Sequence, residues 1–468
     1  MSGTEQKKEL AIFAFAALTV ILVGLAAFAP LFSIYSALVL ALLFIILRAS
    51  DRTKLFIIGL LFPFQGLRLT LPRFEEQFLI SIFPDGIDLS IGYIISLVLI
   101  AIVVLRFFAD LISRRRPRFH LPLLGAAALF WLSAILSALN AGDEVVLSIK
   151  YAFYPIAFSY LAYAILPSAL ARDREELFGL VYGMVFSGAL VALMGALSFV
   201  TGEGFALGRV TPIQIFGVWP IGSNHNLLAE TLVATAPLAL VLGEKHHSRR
   251  RFLLRMLALF MVIIALLTFA RTAWIAFGTM AVLALILEYR REFARYKPQM
   301  IFAGAVLLPL FAALVIFSGT REVQCSTASR LAMTNYSLYL FSSHPLIGAG
   351  AGTFVSRLGQ AKDFLMDFGD PLDAHGFGQK ILSEQGIVGL VFFIFFLGRI
   401  VQTLVAAVKT LPLGSAERRT MLLFSLGALG LIFYEMFNTT YYSAKMWLPI
   451  GAAFAALPYY SKLRPPLF

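Results

Sequence analysis

The sequence predicts an all-α, polytopic transmembrane helical bundle of 12 to 14 spans, and three observations predict it. The first is composition: 60% of the 468 residues are apolar and 14% are charged, with a mean hydropathy of +0.85. Soluble chains run nearer 45 to 50% apolar and about 25% charged. The second is that the apolar residues fall in blocks of about 15 to 23, close to what a helix needs to cross a ~30 Å hydrocarbon core. The third is that Leu, Ala, Ile and Phe fill these blocks continuously, without the alternation of a transmembrane β-barrel.

In order, the blocks run roughly 10–29, 31–47, 55–71, 89–109, 120–138, 145–166, 177–199, 226–243, 253–269, 271–289, 299–318, 386–406, 420–437 and 446–460. The first follows Lys7 and Lys8 and ends on Ala27-Phe28-Ala29, which resembles a signal-peptide cleavage site. Its apolar run is longer than an ordinary signal core, and Pro30 and a second block follow at once, so it is read as an uncleaved helix. The third block is short and interrupted by Pro63 and Gly66, and the last is short too. Twelve full crossings plus a re-entrant pair is therefore the lower count. The expected parts are N-terminal helices over 1–119, central helices over 120–318, a partly helical outer segment over 319–385 and C-terminal helices over 386–468.

Charge sets the orientation. With the N-terminus inside, 25 of the 38 Lys and Arg fall in cytoplasmic loops and 11 outside, leaving Arg106 and Arg399 within spans. Such a bias is what the positive-inside rule expects, and it makes both termini cytoplasmic. The net charge of +12 then reads as topology anchoring by runs such as Arg114-Arg115-Arg116 and Arg249-Arg250-Arg251. Membrane lipids are the expected surroundings, and nucleic acid is not an expected partner. The single Cys325 rules out an intrachain disulfide and a Cys-rich metal site. No His-x-x-x-His, Cys pair or acidic cluster suggests a metal, and no cofactor is expected.

Three outer segments are too long for simple hairpins: about 67–88, about 200–225 and 319–385. Long connections in a compact protein are usually functional or disordered. The last carries a helical apolar pattern (Leu331, Tyr336, Leu338, Tyr339, Leu340), a turn at His344-Pro345 and the run Gly348-Ala349-Gly350-Ala351-Gly352. It reads as folded and is the expected active segment.

Of the six histidines, 225, 344 and 375 share the outer side with these segments. His375, in Asp373-Ala374-His375-Gly376, lies just above the span opening at Gly386, with Glu384 two to three turns away if 377–385 is helical. An imidazole there suits a general base taking a proton from a sugar hydroxyl; a surface-loop histidine is the plain alternative. Arg209 follows the seventh block and Arg271 opens the tenth. Two guanidiniums suit a diphosphate, since each makes bidentate contacts and neither loses its proton; for Arg271, interfacial snorkelling is the other reading. The glycine run resembles a phosphate nest but lacks the Gly-Lys-Ser/Thr ending of a P-loop, which favours a packed turn. His344 before Pro345 is either catalytic or a helix cap. Acids within spans are few, chiefly Glu230 and Glu435, where a proton-coupled transporter would carry more.

Together these residues resemble a known signature. His344 to Phe354, then His375, then Leu382-Ser383-Glu384-Gln385-Gly386-Ile387-Val388-Gly389-Leu390 is similar to the O-antigen ligase and O-antigen polymerase superfamily. The ligase pattern is His, then Asn, Ser or Gln, nine residues, Gly, two residues, and Gly, Thr or Tyr. His375 is followed by Gly376 where an amide or hydroxyl is usual, and Gly386 and Gly389 close the spacing. Thr268-Phe269-Ala270-Arg271 resembles the family's Thr-x-Ser-Arg, with Ala270 for Ser. Arg209 with Asn224-His225-Asn226-Leu227-Leu228-Ala229 resembles its Arg and Asn-Pro-Asn-x-x-Ala segment, with His225 for Pro. The resemblance covers about residues 120–440.

The resemblance implies a metal-independent, inverting glycosyltransferase at the periplasmic face of a bacterial inner membrane. Its donor would be a glycan on undecaprenyl diphosphate, and its acceptor the lipid A-core oligosaccharide or another lipid-linked glycan. Carried over, His375 would activate the acceptor hydroxyl, and Arg209 and Arg271 would hold the donor diphosphate; His344, Glu384 and His225 are supporting candidates. The first alternative is a polymerase of O-antigen or exopolysaccharide. The second is a lipid-linked oligosaccharide flippase, which would spread charge along a central cavity where these candidates gather at the outer edge.

Overall fold

The computed structural model describes residues 46–71, 87–113, 121–202, 204, 208–292, 294–299, 321–438 and 442–461. Block 10–29, nearly all of 31–47 and of 299–318, Arg114-Arg115-Arg116, and both ends of the chain with their expected sidedness lie outside the described residues.

Helix α1 (Asp51–Leu61) starts where Ser50 accepts a hydrogen bond from the Thr53 amide at 3.2 Å. It spans only about 17 Å at 1.5 Å per residue, so the third block is not a crossing to residue 71. Pro63 ends the helical pattern, and Gly66 docks on the next outer loop, its amide donating to the Pro220 carbonyl at 2.9 Å. A side chain at 66 would collide with the Trp219 carbonyl. The chain then leaves the all-helical plan in an antiparallel pair of β1 (Arg68–Leu71) and β2 (Ile87–Ser90), with Arg68 opposite Ser90 and Leu71 opposite Ile87.

Ser90 caps α2 (Ile91–Ile112) by accepting from the Tyr93 amide at 3.2 Å. The in-span Arg106 is not alone, because its two Nη atoms grip Asp51 at 2.7 and 3.0 Å. After α3 (Leu124–Ser137), α4 (Gly142–Leu170) carries two π-helical stretches, Ala152–Ala157 around Pro155 and Tyr160–Ile165. In α5 (Arg174–Val200), Asp173 accepts from the Glu176 amide at 2.8 Å and Glu176 accepts from the Arg172 amide at 2.6 Å, a reciprocal cap. Gly179 and Gly183, four apart, lay α5 directly on the α1 backbone at Arg52 and Phe56, the small-residue spacing that lets helices approach closely in lipid.

The remaining helices are α6 (His225–Lys245), α7 (Ser248–Leu267), α8 (Arg271–Leu287), α9 (Arg321–Ser343), α10 (Phe354–Leu358), α11 (Lys362–Phe368), α12 (Phe377–Lys409), α13 (Ala416–Glu435) and α14 (Ala444–Tyr460). Helix α6 packs between α5, α7 and α13, and α13 also carries α8 and α14. Among the described residues, α2, α4, α5, α6 and α12 are long and apolar enough to cross a membrane, while α8 is apolar but shorter. Outward-facing Leu105, Val146, Ile286 and Ile394 stay exposed, the surface that lipid rather than water would cover.

Ion pairs tie one end of the bundle: Lys245 to Glu175 at 2.6 Å, Arg419 to Glu244 at 3.4 Å and the buried Arg418 to Glu288 at 2.7 Å. These are the start of α5, the end of α6, the end of α8 and the start of α13. Their other ends therefore share the opposite face of the bundle. There α9 to α11 enclose a small apolar core of their own, built on Met333, Leu340, Phe354, Leu358 and Phe364.

Candidate functional site

The candidate residues cluster around helix starts. His225 opens α6, Arg271 opens α8, and His375 stands two residues before α12. All three starts dock on the end of α13. The Tyr434 hydroxyl donates to the Asn226 carbonyl at 2.7 Å and shares a hydrogen bond with Thr272. The Met436 carbonyl lies 3.0 Å from where a Cβ on Gly376 would stand. Arg209 joins through its neighbour, since the Val210 amide donates to the Leu267 carbonyl at 2.9 Å, at the last residue of α7. Between α7 and α8 the chain reverses at Phe269, whose φ is +55°, with the Thr268 hydroxyl accepting from the Ala270 amide at 3.1 Å. Unsatisfied amides and the helix dipole make each of these helix starts locally positive.

Arg330, in the middle of α9, links them. Its charge bears on both His375 and His225; Arg271 bears on Arg330, and Arg209 on His225. Arg330 Nε is buried and has no hydrogen-bond partner among the described residues. Burial and then Arg271 lower its pKa, yet a guanidinium stays charged at neutral pH. Sequence reasoning passed over this residue. A signal was available: Arg330 lies on one helical stripe with Met333, Ser337 and Leu340, three, seven and ten residues on, and all three are buried. A cation on a buried stripe calls for a partner.

Burial first, and Arg330 second, hold His375 down to about 4, with Asp373 pulling the other way. The imidazole is thus neutral at pH 7, with a free lone pair to accept a proton. Its loop is pinned by Lys380 of α12, which reaches Asp373 at 2.6 and 2.8 Å and sits 5.2 Å from the ring centres of both Tyr151 and Tyr442. Gly376 has φ +133°, a region that side chains avoid. That angle, with the Met436 carbonyl alongside, explains why glycine replaces the amide or hydroxyl of the sequence pattern.

The other supporting candidates serve different ends. Glu384 is buried, and its Oε1 accepts from the Phe354 amide at 3.1 Å, with the Gly352 amide also bonding the carboxylate. It ties the glycine run to α12. That run is a packed turn and not an anion nest: the amides of Ala349, Gly350 and Ala351 donate to the Ser383 carbonyl, the Glu384 carbonyl and the Ser137 hydroxyl at 3.0, 2.9 and 2.9 Å. The turn presses into α12 where Gly386, φ +66°, bends it. His344 ends α9 and lines a separate cleft with Arg357. Among the described residues no three His, Cys, Asp or Glu gather as metal ligands.

The family described as O-antigen ligase matches residues 256–394, which take in Arg271, Arg330, His344, His375 and Glu384. That match supports an O-antigen ligase-like superfamily for this part of the chain. The O-antigen ligase match begins after Arg209 and His225, so those two join the site through the contacts above. It supports a membrane glycosyltransferase of the ligase or polymerase type acting on lipid-linked glycans. No curated protein matches the chain.

Proposed function

We propose that the protein is an inverting, metal-independent glycosyltransferase of a bacterial inner membrane. It moves a glycan from undecaprenyl diphosphate onto the lipid A-core oligosaccharide at the periplasmic face. The observation that carries this reading is the meeting of Arg209, Arg271 and Arg330 with a neutral His375 at three helix starts. Guanidiniums and helix N-termini suit an oligophosphate, and a neutral imidazole suits an incoming hydroxyl.

In this reading the acceptor oxygen attacks the anomeric carbon and gives its proton to His375. The bond from the anomeric carbon to the phosphate oxygen breaks, and its electrons leave on the lipid diphosphate, whose charge the arginines stabilise. A single direct displacement inverts the anomeric centre. A diphosphate is already a good leaving group, so positioning, one base and positive charge are enough.

The test is His375→Ala, expressed in a strain lacking the native copy and read by lipopolysaccharide gel. Membrane levels should be normal and the polysaccharide ladder absent; a normal ladder removes His375 from the mechanism. Deleting the whole protein separates the two reactions: loss of every rung marks a ligase, while collapse to a single repeat marks a polymerase.

A further inference from the structure

A cleft of about 420 Å³ opens between α9 and the α10–α11 turn, lined by Tyr336, Tyr339, Ser343, His344, Arg357 and Gln360. Its volume falls in the range of small-ligand sites. The reaction proposed above uses none of these side chains. We propose that this cleft is a carbohydrate subsite that holds sugar units of the glycan chain being joined, an inference that rests on the glycosyltransferase reading.

The lining points to a neutral polyol. The rings of Tyr336 and Tyr339 stand 6.0 Å apart at 33°, and an aromatic face suits the apolar C–H face of a sugar. Tyr336 is fixed, its hydroxyl donating to the Arg357 carbonyl at 2.8 Å and its ring meeting Phe354 edge-on at 5.9 Å. Tyr339 is exposed, so one wall is rigid and the other accessible. The polar groups are an exposed Gln360 amide, the Ser343 hydroxyl and the His344 imidazole, whose buried Nδ1 has no hydrogen-bond partner. Together they offer the mixed donors and acceptors that sugar hydroxyls match.

A phosphate fits this lining poorly. Arg357 directs Nη2 to the Asn140 and Ala349 carbonyls at 3.1 and 2.7 Å, holding the glycine turn. No acid lines the cleft either, which disfavours a cation. Tyr336 stands six residues beyond Arg330 on α9 and His344 follows the last residue of that helix, about 9 to 21 Å along the axis, while Tyr339 lies on the helix face opposite Arg330. A glycan running from the cluster to the cleft has to pass around α9, a span of several sugar units.

The experiment uses the full-length protein in nanodiscs. The probe is soluble oligosaccharide released by mild acid from the source bacterium's own surface polysaccharide, titrated by saturation-transfer NMR. Tyr339→Ala and Gln360→Ala should each weaken binding about 2- to 12-fold, the loss expected for one aromatic or hydrogen-bonding contact. Tyr339→Phe should bind like the parent, and so should His375→Ala. In transfer assays Tyr339→Ala should raise KM and leave kcat near the parent value. A rise on the donor side assigns the cleft to the donor glycan, and a rise on the acceptor side to the acceptor. Unchanged binding and KM in both alanine variants, or no binding of the probe by the parent protein, overturns the subsite. A parent protein that binds the probe but transfers nothing overturns the glycosyltransferase reading instead, so the two failures are distinct.

Discussion

Replacing Arg330 with Gln removes a cation whose field reaches both imidazoles of the site. In the free protein His375 sits at about 4 against an ordinary 6.5, lowered by burial and then by Arg330, with Asp373 opposing. Burial is the largest cause and outweighs Asp373. With the guanidinium gone, the imidazole therefore rises from about 4 and stops short of 6.5. The neutral form is the base, so a rise moves the acid limb of the rate profile upward in pH. At pH 5 an imidazole of pKa about 4 is about 90% neutral, and any rise in its pKa lowers that fraction. The assay is kcat/KM against a purified lipid-linked donor from pH 4.5 to 8, because that ratio reports ionisations of the free enzyme. Normalised to its own plateau, Arg330→Gln should lose more of its activity at pH 5 than the parent, with the acid limb displaced to higher pH. Arg330→Lys keeps a positive charge and should keep the parental limb. An Arg330→Gln limb that coincides with the parent's would refute the placement of Arg330 as the residue that tunes the base.

Donor binding should act on the same base in the opposite sense to Arg330, so the acid limb of kcat, which reports the loaded complex, should lie at higher pH than that of kcat/KM; coincident limbs would separate His375 from the diphosphate. Arg271→Ala should slow transfer more than Arg271→Lys, measured with the same donor; equal rates for both variants and the parent would deny a diphosphate role. Gly376→Ala forces a side chain into φ +133° beside the Met436 carbonyl. Strain of about 1 to 3 kcal/mol should displace His375 and lower kcat, while membrane levels hold. At the opposite end, Arg418→Met leaves Glu288 buried without its ion pair, a loss of about 3 to 5 kcal/mol; it should lower Tm in detergent and leave the KM of the folded fraction unchanged.

Much of the fold was legible because lipid imposes one rule: an apolar block must become a helix to satisfy its own backbone. The blocks opening at 55, 89 and 177 fall within four residues of the helix starts at Asp51, Ile91 and Arg174, which Ser50, Ser90 and Asp173 cap. The β1–β2 pair was not legible: Pro63 and Gly66 mark where the third block breaks, but the path after it follows the docking of Gly66 on Pro220, a contact between residues far apart in the chain. For the candidate site, Arg209, Arg271 and His375 were singled out from the motif, but their arrangement in space could not be read from it. That arrangement is set by the end of α13, where Tyr434 gathers Asn226 and Thr272, and no spacing within the motif encodes it. Arg330 was missed for a related reason. Its neighbours on the chain are ordinary, and its significance comes from burial beside Arg271 and the two histidines.

The two demands of the proposed chemistry oppose each other in the free site. Arginines placed to receive a leaving diphosphate make protonation of a nearby imidazole unfavourable, and a base that resists protonation is a weak one. His375 shows this conflict, since burial and Arg330 together keep it neutral far below ordinary pH. A bound diphosphate resolves it: its negative charge offsets the guanidiniums, the imidazolium becomes easier to form, and the base strengthens at the moment an acceptor hydroxyl must be deprotonated. Without donor, the same histidine stays neutral and has little drive to activate water or a stray hydroxyl. In the proposed reaction Arg330 therefore has two roles that distance alone does not separate, as a ligand for the leaving group and as the charge that makes the base depend on it.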